Sequence, residues 1–117
     1  MGRLTVYHNP ACGQSRGVLE ILRDRGVEFD VVEYLKTPPG RADLERILDA
    51  IPDEPATLVR KDKRFGELGL DESAHTTRES VVTLLLEHPE LMARPVVFSG
   101  DDALICRPSD TVLTFLE

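Results

Sequence analysis

The chain has 117 residues, enough for one domain that buries its own core without disulfides or metal. With 41% apolar and 30% charged residues it has the composition of an ordinary globular protein, and no apolar run approaches the ~20 residues that cross a bilayer. A net charge of −7 argues against nucleic acid or an anionic membrane as the main partner, because both demand a cationic surface. It leaves room for a small anion held by a local cluster of arginine.

The segment from Met1 to Tyr7 leads directly into a strand pattern and lacks the long apolar core of a secretory signal, so a cytoplasmic protein is expected. Leu4 to Tyr7 reads as a buried strand, broken by His8-Asn9-Pro10-Ala11-Cys12-Gly13. Ser15 to Arg25 has helical spacing, with Val18, Leu19 and Leu22 on one face and Gly26 as its stop. Phe29 to Tyr34 is a second strand, which completes a right-handed βαβ unit. After the turn at Thr37-Pro38-Pro39-Gly40, Leu44, Ile47, Leu48 and Ile51 mark an amphipathic helix over 41–51.

Residues 52–59 read as irregular and 61–70 as charged and partly helical. Thr76 with Glu79 predicts a capping box for a helix that runs to about His88 and is closed by Pro89. Val96-Val97-Phe98 is a third strand, Ser99 to Asp102 a hairpin turn, and Ala103 to Cys106 the return strand. A short final helix starts near Arg107-Pro108-Ser109. Residues 1–117 thus form one α/β domain, with a mixed sheet of order βαβ then ββα covered by helices. That is the order of a thioredoxin-like fold with a helical insertion at about residues 41–92.

The two cysteines, Cys12 and Cys106, and the histidines His8, His75 and His88 show no zinc spacing, and no metal site is expected. A cytosolic setting makes a structural disulfide unexpected. Cys106 ends an apolar strand and reads as a buried structural thiol. Cys12 stands between a strand end and a helix start, where unpaired N–H groups and the helix dipole favour a thiolate. The Ser15 hydroxyl is placed to donate to that thiolate, Arg16 adds positive charge, and His8 is near in sequence. The inert role common for a lone cysteine sits poorly with an Asn-Pro loop at a helix start. Cys12-Gly13-Gln14-Ser15 has no second cysteine for an internal redox pair, and a Cys-x5-Arg phosphatase is rejected because position 18 is Val18.

Tyr7-His8-Asn9-Pro10-Ala11-Cys12-Gly13 with Ser15-Arg16, Tyr34-Leu35, Pro38-Pro39, Leu58-Val59-Arg60-Lys61, Glu67-Leu68-Gly69-Leu70, His88-Pro89, Arg94-Pro95-Val96-Val97 and Cys106-Arg107-Pro108-Ser109 together resemble the glutaredoxin-coupled arsenate reductases over nearly the whole chain. The resemblance implies that Cys12 attacks arsenate, that His8 and Ser15 support the thiolate, and that Arg60, Arg94 and Arg107 bind the oxyanion. It implies glutathione as co-substrate, glutaredoxin as protein partner, no bound cofactor, and a cis peptide before Pro95. The chain departs from the family pattern at residues 52–57, 71–77 and 99–103. Two other readings stay open: a thiol-transfer enzyme of the same fold, which would not need three arginines, and a non-enzymatic regulator resembling the Spx proteins, whose usual Cys-x-x-Cys switch Ser15 removes.

Overall fold

The computed structural model describes residues 3–116; Met1, Gly2 and Glu117 lie outside the described residues, and with them the lead-in expected at Met1 and Gly2. Strand β1 (Leu4–His8) is central. It pairs in parallel with β2 (Phe29–Glu33) and antiparallel with β3 (Val96–Ser99), and β3 pairs antiparallel with β4 (Asp102–Ile105). The order β2-β1-β3-β4 is a mixed four-stranded sheet. Helix α1 (Gly13–Asp24) makes the crossover from β1 to β2, and the chain leaves it through Gly26 at φ 66°, a left-handed turn that glycine adopts without steric cost.

Alternation along the strands divides the core into two layers. Leu4 and Val6 of β1 and Val97 of β3 face α1, where they pack with Val18, Leu19, Leu22, Cys106 and Val112. Tyr7, Val96, Phe98 and Ala103 face the other way, onto Tyr34 and the apolar sides of the insertion. There α2 (Arg41–Ala50) contributes Leu44 and Ile47, and α4 (Arg78–Glu87) contributes Val81, Val82 and Leu85. Between them lie a 3-10 turn at Pro55–Leu58, the short helix α3 (Lys63–Glu67), and a second 3-10 turn at Glu72–Ala74. This is the thioredoxin-like sheet with a helical insertion that the element order predicts.

Several boundaries differ from the sequence reading. The capping box of α4 uses Thr77 and Ser80, not Thr76 and Glu79: Ser80 N–H donates to the Thr77 hydroxyl at 3.1 Å, and Thr77 N–H donates to the Ser80 hydroxyl at 3.0 Å. Serine at the third helical position closes the box as a glutamate would, one residue later than the spacing suggested. β4 starts at Asp102 and ends at Ile105, because Ser99 pairs with Asp102 across a two-residue loop in which Gly100 takes φ 61°. The final helix is 3-10, Ser109–Leu116. Among the described residues, no helix is long and apolar enough to cross a membrane.

The final helix is fastened to α1 by Ser109, whose N–H and hydroxyl reach the Gln14 side chain and carbonyl at 2.8 Å each. A Cβ at Gly17 would meet Ser109 Oγ at 2.4 Å, so the two elements touch at a site only glycine allows. Gly17→Ala should therefore destabilise the domain by roughly 1–3 kcal/mol through overpacking, against the ~1 kcal/mol gain in helix propensity. Urea denaturation checks this. Adding Ser109→Gly should cost less than the two single changes summed, since one clash cannot be relieved twice.

Candidate active site

The loop from β1 into α1 is fixed by its own polar groups. The Asn9 carbonyl accepts from Cys12 N–H at 3.0 Å, and its side-chain oxygen accepts from Ala11 N–H at 2.9 Å. From inside the helix, the fully buried Ser15 hydroxyl accepts from Asn9 N–H at 3.1 Å. On the outside, Arg16 Nη1 donates to the Pro10 carbonyl at 2.8 Å. Cys12 is thereby held at the N-cap of α1 with extended backbone, and α1 has no acidic residue in its first turn to draw on the same N–H groups.

Cys12 is 9% exposed. Burial pushes its thiol up, but the Ser15 N–H, the Arg94 guanidinium, the Gln14 N–H and the Arg107 guanidinium outweigh burial and bring it down from 9.0 to about 7. The two N–H groups do not close a standard side-chain cap on the sulfur; they act on it as aligned dipoles at the helix start. Arg107 Nη1 lies 3.5 Å from Cys12 Sγ and 3.1 Å from the Arg94 carbonyl.

Long-range pairing delivers the arginines. Val59 and Met92 form an antiparallel bridge, flanked by Arg60 N–H to the Leu91 carbonyl and Ala93 N–H to the Leu58 carbonyl, both 2.7 Å. This brings Arg60 and Arg94 to one end of the sheet, and β4 returns Arg107 to the same end through Cys106 N–H to the Pro95 carbonyl at 2.9 Å. The Arg94–Pro95 peptide is cis, as the resemblance implied; Arg107–Pro108 is cis as well, which the sequence reading missed. Arg60 is not among the groups that act on the Cys12 thiol. Its charge faces the Tyr34 hydroxyl, and its Nη1 pairs with Asp62 Oδ2 at 2.8 Å.

Two expected supports act differently. The Ser15 hydroxyl serves the Asn9 turn, and it is the Ser15 N–H that faces the sulfur. The reason is geometric: at the third helical position the N–H points back to the cap. His8 is buried on the α1 face of β1, and its Nδ1 has no hydrogen-bond partner among the described residues. Burial lowers its pKa, with Arg23 and Arg16 adding to the effect and Glu33 opposing it, so the ring is neutral near pH 7 and is not a cation beside the thiolate. Arg16 likewise spends its guanidinium on the loop. Cys106 is fully buried in the α1-side cluster and pushed by burial to about 12, an inert thiol. Among the described residues, no group of three or more His, Cys, Asp or Glu side chains is gathered to hold a metal ion.

Asn9, Tyr34 and Asp62 are parts of this site that sequence reasoning did not single out. The turn propensity of Asn-Pro was the one local signal for Asn9. Tyr34 read as the last residue of a strand, and Asp62 was one of the charges in the partly helical stretch 61–70.

This arrangement predicts how Cys12 reacts. A depressed thiol pKa keeps the nucleophilic thiolate populated down to neutral pH. Alkylation by iodoacetamide should rise through an inflection near pH 7. In Arg107→Ala the inflection should move up toward the ordinary cysteine value of about 8.5. Rates read from mass spectra across roughly pH 5.5–9.5, which spans ordinary thiol titration, check both.

The sequence model of the ArsC family matches residues 7–115. An arsenate reductase of Rhizobium meliloti (strain 1021) is 44% identical over 97% of this chain and 81% of its own length. An arsenate reductase of Escherichia coli (strain K12) is 39% identical over 99% of this chain and 82% of its own. Among solved structures, the arsenate reductase from Vibrio cholerae superposes with a TM-score of 0.85 at 31% identity, covering 96% of each chain. Sequence and fold agree along almost the entire length, and the chain belongs to the ArsC family.

Proposed function

We infer that this protein reduces arsenate to arsenite, with Cys12 as the nucleophile. The observation that carries the reading is the Arg107 guanidinium 3.5 Å from a sulfur whose pKa is about 7. A thiolate attacking arsenate brings two anions together, so the reaction needs cations at the sulfur itself. Arg94 and Arg107 supply them, and the planar guanidinium fork matches the edge of a tetrahedral oxyanion. The names of the relatives support the substrate, since they are arsenate reductases.

The chemistry follows from these groups. The Cys12 thiolate attacks arsenic, a protonated oxygen leaves as water, and a thioarsenate ester forms. Arg94 and Arg107, with Arg60 behind them, stabilise the negative charge that gathers on the arsenate oxygens. Reduction from arsenic(V) to arsenic(III) takes two electrons, and two thiols that leave as a disulfide provide them. The glutathione thiol displaces a second oxygen, which leaves as water, from the arsenic of the adduct, and a glutaredoxin thiolate then attacks the glutathione sulfur, forming the mixed disulfide and leaving the electron pair on arsenic. Hydrolysis of the Cys12 bond releases arsenite. The buried, inert Cys106 takes no part, which makes external thiols the reductant.

The test is arsenate-dependent NADPH oxidation in the presence of glutathione, glutathione reductase and glutaredoxin. Turnover should be absent in Cys12→Ser. In Arg94→Ala, kcat/KM for arsenate should fall by about 10²-fold or more, the usual size of losing one charge-stabilising donor. A wild-type enzyme that leaves arsenate untouched while Cys12 alkylates quickly near pH 7 overturns the substrate assignment and favours thiol transfer or a regulatory role.

A further inference from the structure

Tyr34 follows β2 and is the largest fully buried side chain of the domain, at 0% exposure. Its ring packs in the core beneath the insertion. A phenylalanine would fill that space, and a buried hydroxyl without a partner carries a desolvation cost that phenylalanine avoids. Among the described residues, the Tyr34 hydroxyl has no hydrogen-bond partner of good geometry, and neither has the buried Arg94 Nε. The parallel register that sets His8 beside Glu33 leaves Asn9 and Tyr34 as neighbours just past the paired strands, and Tyr34 shares its apolar cluster with Ala93, the residue before Arg94; the Arg94 guanidinium, the Asn9 side chain and the Arg60 charge all act on the Tyr34 hydroxyl. The Asn9 side-chain oxygen accepts from Ala11 N–H, which fixes the amide and leaves its NH2 as the donating group.

We propose that Tyr34 is a positioning residue of the oxyanion site, its hydroxyl joining Arg94 to the Asn9 turn that carries Cys12. The phenolic oxygen accepts from an Arg94 N–H and from the Asn9 side-chain amide N–H, both of which favour negative charge on it. The guanidinium is then held by one edge, so its other edge stays turned toward the sulfur and the arsenate oxygens. The Asn9 turn and Arg94 come from opposite ends of the chain, and this hydroxyl is the polar group set between them. Tyr34 itself need not touch substrate; it acts through Arg94.

This inference rests on the arsenate reading above, and the experiment separates the two. Tyr34→Phe keeps the ring and removes one oxygen. In the coupled assay, KM for arsenate should rise ~10-fold with a smaller change in kcat and an unchanged KM for glutathione, the pattern of lost ground-state binding at one substrate. In an Arg94→Ala background, Tyr34→Phe should add almost nothing, since the group it positions is gone. The pH inflection of Cys12 alkylation, which needs no arsenate, should move up in Tyr34→Phe because Arg94 acts on the sulfur. The thermal midpoint should stay at or above wild type, which shows that the core survives. Unchanged arsenate KM and unchanged alkylation profile, or a full additional loss in the Arg94→Ala background, overturns the proposal. If the wild type fails to turn over arsenate, the alkylation profile alone decides the Tyr34–Arg94 link.

Discussion

Residues 41–92 leave the sheet after β2 and must come back to it before β3, and the closure is made by a few backbone groups at Val59 and Met92. The bridge there, with its two flanking bonds of 2.7 Å, sits between the apolar layer of the insertion and the end of the sheet. Leu58, Val59, Leu91 and Met92 are buried in that layer, so the bonds form out of water, where an unpaired N–H or carbonyl would be costly. The residues just outside the buried pairs are arginines. Arg60 follows Val59, and Arg94 follows Ala93. Closing the insertion and placing positive charge at the Cys12 end of the sheet are thus one event in folding. Loss of apolar packing between α2, α4 and the sheet would disturb the site without touching any residue in it.

The electrostatics have two scales. The whole chain carries −7, which at long range repels small anions, though salt at physiological strength screens that field within ~8 Å. Within bonding distance the balance reverses: the first turn of α1 is free of acidic residues, and Arg94 and Arg107 bear on the sulfur. Short range prevails because charge pairs a few ångströms apart in a partly buried site are screened far less than surface charge. The same comparison explains why Cys12 and Cys106, both buried, differ so much. Cys106 has burial alone and is driven to about 12; Cys12 has burial opposed by two N–H dipoles and two guanidinium groups and settles at about 7.

What could be read from the sequence follows the range of the interactions involved. Strands, the α1 and α2 helices, and a cysteine at a helix start are local patterns, visible in hydrophobic period and turn residues. The order of elements was enough to give the sheet. The arginines had no local signature: Arg60 and Arg94 meet only because residues 59 and 92 pair across the insertion, and their assignment came from resemblance. Local reasoning also erred where a side chain and its own backbone compete for one task, as when Ser15 was expected to use its hydroxyl and uses its N–H. Tyr34 was legible as apolar and not as polar, because period two places a ring in the core without saying what its hydroxyl meets. His8 was near Cys12 in sequence, yet the alternation of β1 sends its ring to the α1 face among Arg16, Arg23 and Glu33.

Asp62 uses both of its oxygens. Oδ1 accepts the Phe65 N–H at 3.2 Å and caps α3, while Oδ2 holds Arg60 at 2.8 Å. Arg60 is therefore not a bare charge. In the proposed reaction, drawing it onto substrate would exchange one anion for another, with a net gain equal to the difference between two similar ion pairs. During that exchange α3 keeps its cap, since the bond to Phe65 uses the other oxygen. In the proposed reaction such a site would favour doubly charged ligands over singly charged ones and give a neutral ligand nothing to displace the carboxylate with, so a product that had shed its charge would be let go as Arg60 returned to Asp62.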